Sequence, residues 1–511
     1  MKKISAALLI LGALAVFWHF VSPNIPDLDS FFYLGKALLM REQGLAEATF
    51  PWAQLSVIKE TSSSLWFGFS LLMLPFSFLP SPSLAIKIFG ILVTLFALGS
   101  CYFVARRHQF HWPIFWPLLM FFSAPNVTAQ LLMVRPQTLT VGLGLLLLSF
   151  LIRGGWMPVF IVSFFISWIH LNFSWIAIAI LGIVIVGRII IDRKVEWLKI
   201  IAVPAALLLG WVARPNPIGA AKLFYIQVVQ QILEKQSGLP LLFGTENLPL
   251  GSATLFRNFS PFLAIWIFAG LMLAWWIIKK QLVDKQKILI ASSSVFLSLV
   301  FFSLSILIAR RSYNFWIAFG VLAIALAFSW ILDLARQRYD LKPLKDWAAG
   351  IAVFSLIFLT FFSGLKTLNS LAKSYPPDLM KESAEWLAKN SQPGDLVFNL
   401  HWSHFSPLFL WNRSNYYIGG LDPIFQYRYN PELYWLFHYP SAGISTSVTC
   451  RYLECTNDSV ESTYSALKND FRAKYILVSK PHNPNFNKFA ASDPRFEKVF
   501  EAVNEVVYLI K

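Results

Sequence analysis

Eleven apolar runs separated by short polar stretches leave this chain one environment in which to fold. By hydropathy they cover roughly residues 4–21, 65–80, 84–105, 113–133, 138–152, 157–187, 198–213, 261–278, 288–309, 314–333 and 347–365. Most approach the ~20 residues a helix needs to cross a bilayer. Only 14% of the residues are charged, against about 25% in a soluble globule. The expectation is an α-helical polytopic membrane protein with about ten to twelve transmembrane helices. The run 157–187 is too long for one untilted crossing and carries His170 and Asn172 at its middle. It is read as two short or broken helices.

Charge gives a topology. The net charge is +16, and residues 375–511 contribute 13 Lys/Arg against 14 Asp/Glu, so the basic excess belongs to residues 1–374. It lies in four clusters: Arg106-Arg107, Arg188 to Lys199, Lys279 to Lys287 and Arg336 to Lys345. Basic loops between spans mark the cytoplasmic side before they suggest nucleic acid, which is not expected as a partner. Two spans separate the second cluster from the third, and two the third from the fourth, so all three share one side. Parity between Met1 and Arg106 fails if 65–80 and 84–105 both cross, so one of them is re-entrant or interfacial. The basic, then apolar N-terminus lacks a small-x-small cleavage site before Ser22. It reads as an uncleaved first span with its N-terminus inside.

This topology places two long loops outside, 22–64 and 214–260, and delivers the tail there too. From Tyr375 the pattern changes to helix, turn and strand, as in "PPDLMKESAEWLAKNSQPGDLVFN" and "VESTYSALKNDFRAKYILVSK". The expected division is a transmembrane domain over 1–374 and a small soluble α/β domain over 375–511. Cys450 and Cys455 lie close enough to pair if the tail faces an oxidising compartment, and are too few for a zinc site.

Several residues could carry chemistry. Asp27 and Asp29 follow the first apolar run in "NIPDLDSFFYLGKALLMREQG". One reading makes them a helix cap, with Phe31, Phe32, Leu34, Leu38 and Leu39 as the apolar face of an interfacial helix. The other makes one of them a general base, or a holder of a divalent metal against a phosphate. Arg135, His170, Asn172, Arg310 and Arg311 are costly in hydrocarbon. Such groups either snorkel at span ends or face a wet cavity, where arginines would grip a lipid-linked phosphate. His401 and His404 stand at i, i+3 with Asp422 further on, an incomplete metal set among aromatics. No phosphate loop, Rossmann fingerprint, GxSxG or HExxH stands in a supporting context.

In order, these features resemble the GT-C superfamily, polytopic glycosyltransferases that take sugar from a polyprenyl-phosphate carrier. The resemblance covers the membrane part and is nearer still to a largely uncharacterised bacterial group. It rests on "PDLDSFFYLGKAL" and "FPWAQLSVIKE", on Arg135-Pro136-Gln137, on Trp168 to Asn172, on Asn216-Pro217-Ile218-Gly219 and on Arg310-Arg311. It implies that Asp29, or Asp27, is the base that deprotonates an acceptor hydroxyl. It further implies that arginines near the external face hold the carrier phosphate. Relatives often have His where this chain has Tyr33, and an Asp or His pair where this chain has "TSSSLW". Glu60 is the only carboxylate left nearby. If the missing groups bind metal in relatives, this protein is metal-independent or catalytically altered; Mg or Mn stays open as a cofactor. Two alternatives stand beside the transferase. One is a transporter or flippase of a lipid-linked precursor, and the other is a non-catalytic scaffold. In each, the protein belongs in a bacterial cytoplasmic membrane, in contact with its lipids.

Overall fold

A computed structural model describes residues 2–45, 49–279, 284–338 and 342–511. Parts of the third and fourth basic clusters lie outside the described residues. The chain groups into two compact units. The first comprises Met1–Pro26, Ile86–Ala213 and Thr245–Ser374, and the second comprises Asp27–Ala85, Arg214–Gly244 and Tyr375–Lys511. In this grouping Tyr375–Lys511 goes with segments of both long loops.

The first unit is helical and is that of an integral membrane protein. Among the described residues, seven helices are long and apolar enough to cross a bilayer, or eight if Trp197–Val212 and Pro217–Gln236 count together. The other apolar runs, counted above toward ten to twelve spans, fold as shorter pieces. Run 113–133 becomes Phe115–Phe122 and Pro125–Leu132, divided at Pro125, whose ring removes an amide and restricts the residue before it. Run 157–187 breaks at His170, between Trp156–Ile169 and Trp175–Ile191. Run 65–80 yields only Phe67–Met73 and a 3-10 turn, Leu74–Phe78, in the second unit. Pro82–Arg107 is a full-length helix, so of the two runs that upset the parity, 65–80 is the short one.

Small residues let these helices approach. A Cβ on Gly210 would stand 2.6 Å from the Phe164 carbonyl oxygen, so Trp156–Ile169 and Trp197–Val212 meet backbone to backbone. Ser167 donates to the Leu207 carbonyl across the same seam at 2.9 Å. The first two basic clusters and Lys285 gather at one end of the unit. Arg153 donates to the Arg107 carbonyl at 2.7 Å, Arg188 to the Ile152 carbonyl at 2.8 Å, and Lys285 lies 3.8 Å from Asp192.

The second unit holds a five-stranded sheet. Its order is Tyr416–Tyr417, Leu396–Asn399, Tyr475–Ser479, Glu505–Ile510 and Phe496–Glu501, with the first three parallel and the last two antiparallel to their neighbours. The first loop extends it. Tyr417 N–H donates to the Trp52 carbonyl at 2.9 Å, and Gln54 and Leu55 N–H donate to the Tyr417 and Ile418 carbonyls at 2.8 and 3.1 Å. Leu55 then joins Phe398, Ile418, Phe437, Ile476 and Val506 in the core. Helix Asp29–Gln43 is buried along most of its length and packs on Phe405–Trp411. It is therefore a core helix of this unit, not the interfacial amphipathic helix of the first reading. Cys450 and Cys455 are paired as a disulfide.

Candidate active site

The polar residues of the first unit converge at the end opposite its basic clusters. Arg135 precedes Pro136, which forces it into an extended conformation (φ −126°, ψ 147°) at the start of helix Pro136–Arg153. Its guanidinium makes an ion pair with Glu246, carried on the single turn Thr245–Asn247. That turn is tied to the hairpin beside it: Arg310 N–H donates to the Leu248 carbonyl at 2.8 Å, and Leu250 N–H to the Ser305 carbonyl at 2.8 Å. Arg310 and Arg311 begin the turn that joins Lys285–Leu307 to Tyr313–Arg338. The Arg311 guanidinium lies 5.2 Å over the Phe173 ring, and its carbonyl accepts from Gln137 Nε2 at 2.8 Å.

His170 occupies the break in run 157–187, with its ring 4.4 Å from that of Phe173 and its Nδ1 3.1 Å from the Thr140 hydroxyl. Asn172, two residues on, is buried. A further polar layer continues from this point. Tyr313 donates to the Asn126 carbonyl at 3.3 Å, Asn314 to Gln130 at 3.0 Å, Asn258 to Asn126 at 2.7 Å, and Lys366 to Asn258 at 3.4 Å. Of the residues singled out above, Arg135, His170, Asn172, Arg310 and Arg311 therefore belong to one constellation. Burial alone would raise the Glu246 carboxyl, but the Arg135 and Arg311 guanidiniums override it and hold it below the usual carboxylate range. Arg135, Arg310 and Arg311 bring three guanidiniums to the surroundings of Glu246, and the planar fork of arginine matches phosphate oxygens.

Asp27, Asp29 and Glu60 belong to the second unit. Asp27 is 2% exposed, and Asp29 is half-buried as the first residue of Asp29–Gln43. The cap reading is corrected here. The capping position is Leu28, which makes no side-chain cap hydrogen bond, and Asp29 lies inside the first turn, where its charge complements the helix dipole. Glu60 is exposed and stands 3.9 Å from Lys222. Tyr33 is 3% exposed and packs 4.8 Å from the Phe69 ring.

The segment "TSSSLW" is held by the start of the second loop. Buried Arg214 donates to the Ser64 carbonyl at 3.0 Å and to the Leu65 carbonyl at 3.4 Å. Asn216, at φ 47°, donates to the Thr61 carbonyl and accepts from Gly219 N–H at 2.9 Å, capping Pro217–Phe224. A Cβ on Gly219 would meet Asn216 Nδ2 at 2.7 Å. The Asn-Pro-x-Gly motif is thus a clamp on the segment 61–66. Glu246 and Arg214 were not singled out from the sequence. A lone carboxylate in apolar "LLFGTENLPL", and an Arg-Pro that repeats the one at 135–136, were the available signals.

Asp422 caps helix Pro423–Tyr429. His401, His404 and His482 lie ring to ring at 5.5 Å steps. Among the described residues no three His, Cys, Asp or Glu side chains group so as to hold a metal ion.

The chain thus joins a helical membrane unit, with arginines on its inter-helix turns, to an α/β unit that includes segments of the loops, and by the solved structures that share it this fold is GT-C-like. The sequence matches no protein-family model and no curated protein. Solved structures do share the fold. ArnT from Cupriavidus metallidurans bound to undecaprenyl phosphate aligns with a TM-score of 0.53 at 12% identity, over 99% of this chain and 97% of that one. The Archaeoglobus fulgidus oligosaccharyltransferase in the apo form aligns at 0.61 and 11% identity, over 99% and 74%. The arabinofuranosyltransferase AftD from Mycobacteria aligns at 0.57 and 13% identity, over all of this chain and 40% of that one. At such identities the likeness is one of fold.

Proposed function

We propose that this chain is a membrane glycosyltransferase that moves a sugar from a polyprenyl-phosphate carrier to an extracytoplasmic glycan, lipid or protein. The observation that carries the reading is the gathering of Arg135, Arg310 and Arg311, with Glu246, at one end of the helical unit. The undecaprenyl phosphate bound to ArnT, a protein of the same fold, supports a carrier of that chemistry. In the reaction the acceptor oxygen bonds to the anomeric carbon while the bond from that carbon to the carrier's phosphate oxygen breaks with its electron pair. The phosphate gains one negative charge as polyprenyl phosphate leaves, and guanidiniums fixed beforehand stabilise that charge. The acceptor proton passes to a carboxylate of the first loop. Asp29, half-exposed, is the base, ahead of the buried Asp27.

Binding tests the arginines directly. In nanodiscs, polyprenyl phosphate should bind the wild type at least ~10-fold more tightly than Arg135→Gln or Arg311→Gln, a loss of about 1.4 kcal/mol per variant. Equal binding by all three would remove the arginines from the site.

A further inference from the structure

At the other end of helix Pro136–Arg153, about 27 Å away by helix rise, the first unit opens a cleft of about 600 Å³. Arg107, Arg153, Arg188 and Lys199 line it, with Gln286 and, among the described residues, one carboxylate, Glu196. Two of the cations are spent on structure. Arg188 and Lys199 are mostly buried, donate to the carbonyls of Leu151 and Ile152, and pair with Glu196. They stabilise a helix C-terminus, as cations there should.

Arg107 and Arg153 are different. Each donates to the other's backbone carbonyl, and the Arg107 guanidinium lies 5.8 and 5.2 Å over the Phe103 and Phe150 rings. This fixes a cation at the rim, and among the described residues Arg107 Nε meets no hydrogen-bond acceptor. The rim is also apolar. Phe103 is 41% exposed, and Trp156 and Met157, which open the next helix, are 47% and 58% exposed.

We infer that this cleft binds the headgroup of an anionic phospholipid, with the phosphate at Arg107 and Arg153 and the acyl chains on Phe103, Trp156 and Met157. A soluble anion would use the cations but not the apolar rim, and a zwitterionic lipid would use the rim but gain little from the charge. The basic-loop rule puts this end in the cytoplasmic leaflet, where anionic headgroups are drawn to basic clefts between helices. The inference is independent of the transferase reading.

Native mass spectrometry of the full chain tests it, with phosphatidylglycerol, phosphatidylcholine, sodium phosphate and ADP as probes. Wild type should retain phosphatidylglycerol about tenfold more tightly than phosphatidylcholine. The preference should vanish in Arg107→Gln/Arg153→Gln. It should persist in Arg107→Lys/Arg153→Lys, which keeps the charges should the glutamine variant fail to fold, and in Arg106→Gln, which lies outside the cleft. Equal retention of the two lipids by wild type would overturn the inference, as would a preference surviving in a folded glutamine variant. Binding of phosphate or ADP without phosphatidylglycerol would also overturn it and assign the cleft to a soluble anion.

Discussion

Glu246→Gln separates the two roles of the arginine cluster. The side chains of Arg135 and Glu246 are 15% and 26% exposed, so their ion pair is largely desolvated. Breaking a fully buried pair costs about 3–5 kcal/mol. Glutamine keeps an acceptor for Arg135, and some solvent reaches the site, so the expected loss of stability is about 1–2 kcal/mol. Ligand binding should move the other way. A phosphate held by Arg135 and Arg311 would lie about 5 Å from the Glu246 carboxylate, a repulsion of roughly 3 kcal/mol at an effective dielectric of ~20. If rearrangement and screening remove half, removing the charge should tighten polyprenyl phosphate binding about tenfold. Thermal unfolding and a lipid titration on the same nanodisc samples read both effects. A variant that is less stable and also binds more weakly would refute the reasoning, because Glu246 would then support the ligand rather than compete with it.

Three further outcomes follow from the same physics. Arg214→Ala removes the guanidinium from the half-buried Ser64 carbonyl and the buried Leu65 carbonyl; a loss of about 2–4 kcal/mol and faster proteolysis at residues 61–66 are expected, and unchanged cleavage would remove the clamp. Gly35→Ala places a Cβ 2.8 Å from the Phe409 ring; overpacking should cost about 1–3 kcal/mol, measured as a lower unfolding midpoint, and an unchanged midpoint would show that the ring yields. Burial, then the nearby His482 charge, depresses His401 from 6.5 to about 4, and burial depresses His404 well below 6.5. Bases with lowered folded values contribute stability that is full above pH 6.5 and is lost as pH falls through the folded values, here on the order of 3 kcal/mol for His401. Limited proteolysis of the tail in the full chain should accelerate between pH 6.5 and 4, and a flat profile would contradict the burial.

Much of this was legible because hydrocarbon punishes polar groups. Arg135, His170, Asn172, Arg310 and Arg311 stood out against apolar runs, and they occupy the turns at one end of the helical unit. Strands Leu396–Asn399 and Tyr475–Ser479 announced themselves by dense apolar patterning. Strand Phe496–Glu501 did not, because an edge strand with charges on its open face looks like a polar loop. The first loop was misread for a physical reason: a helix buried among aromatics of a soluble unit has the same composition as one lying on lipid. Its pairing with Tyr417 was invisible, since backbone bonds between residues more than 360 positions apart leave no periodicity. Glu246 and Arg214 were obscured because a partner's identity, not spacing, gives each its role.

The central claim is transfer of a sugar from a lipid-linked phosphate. Purified protein in lipid nanodiscs would be offered a panel of polyprenyl-phosphate sugars, with and without Mg or Mn, comparing wild type with Asp29→Asn. The account predicts sugar release by wild type and loss of turnover by the variant, with polyprenyl phosphate binding unchanged. No release from any donor, together with translocation of the lipid in proteoliposomes, would contradict it and favour a flippase. Full turnover by Asp29→Asn would contradict the assignment of the base.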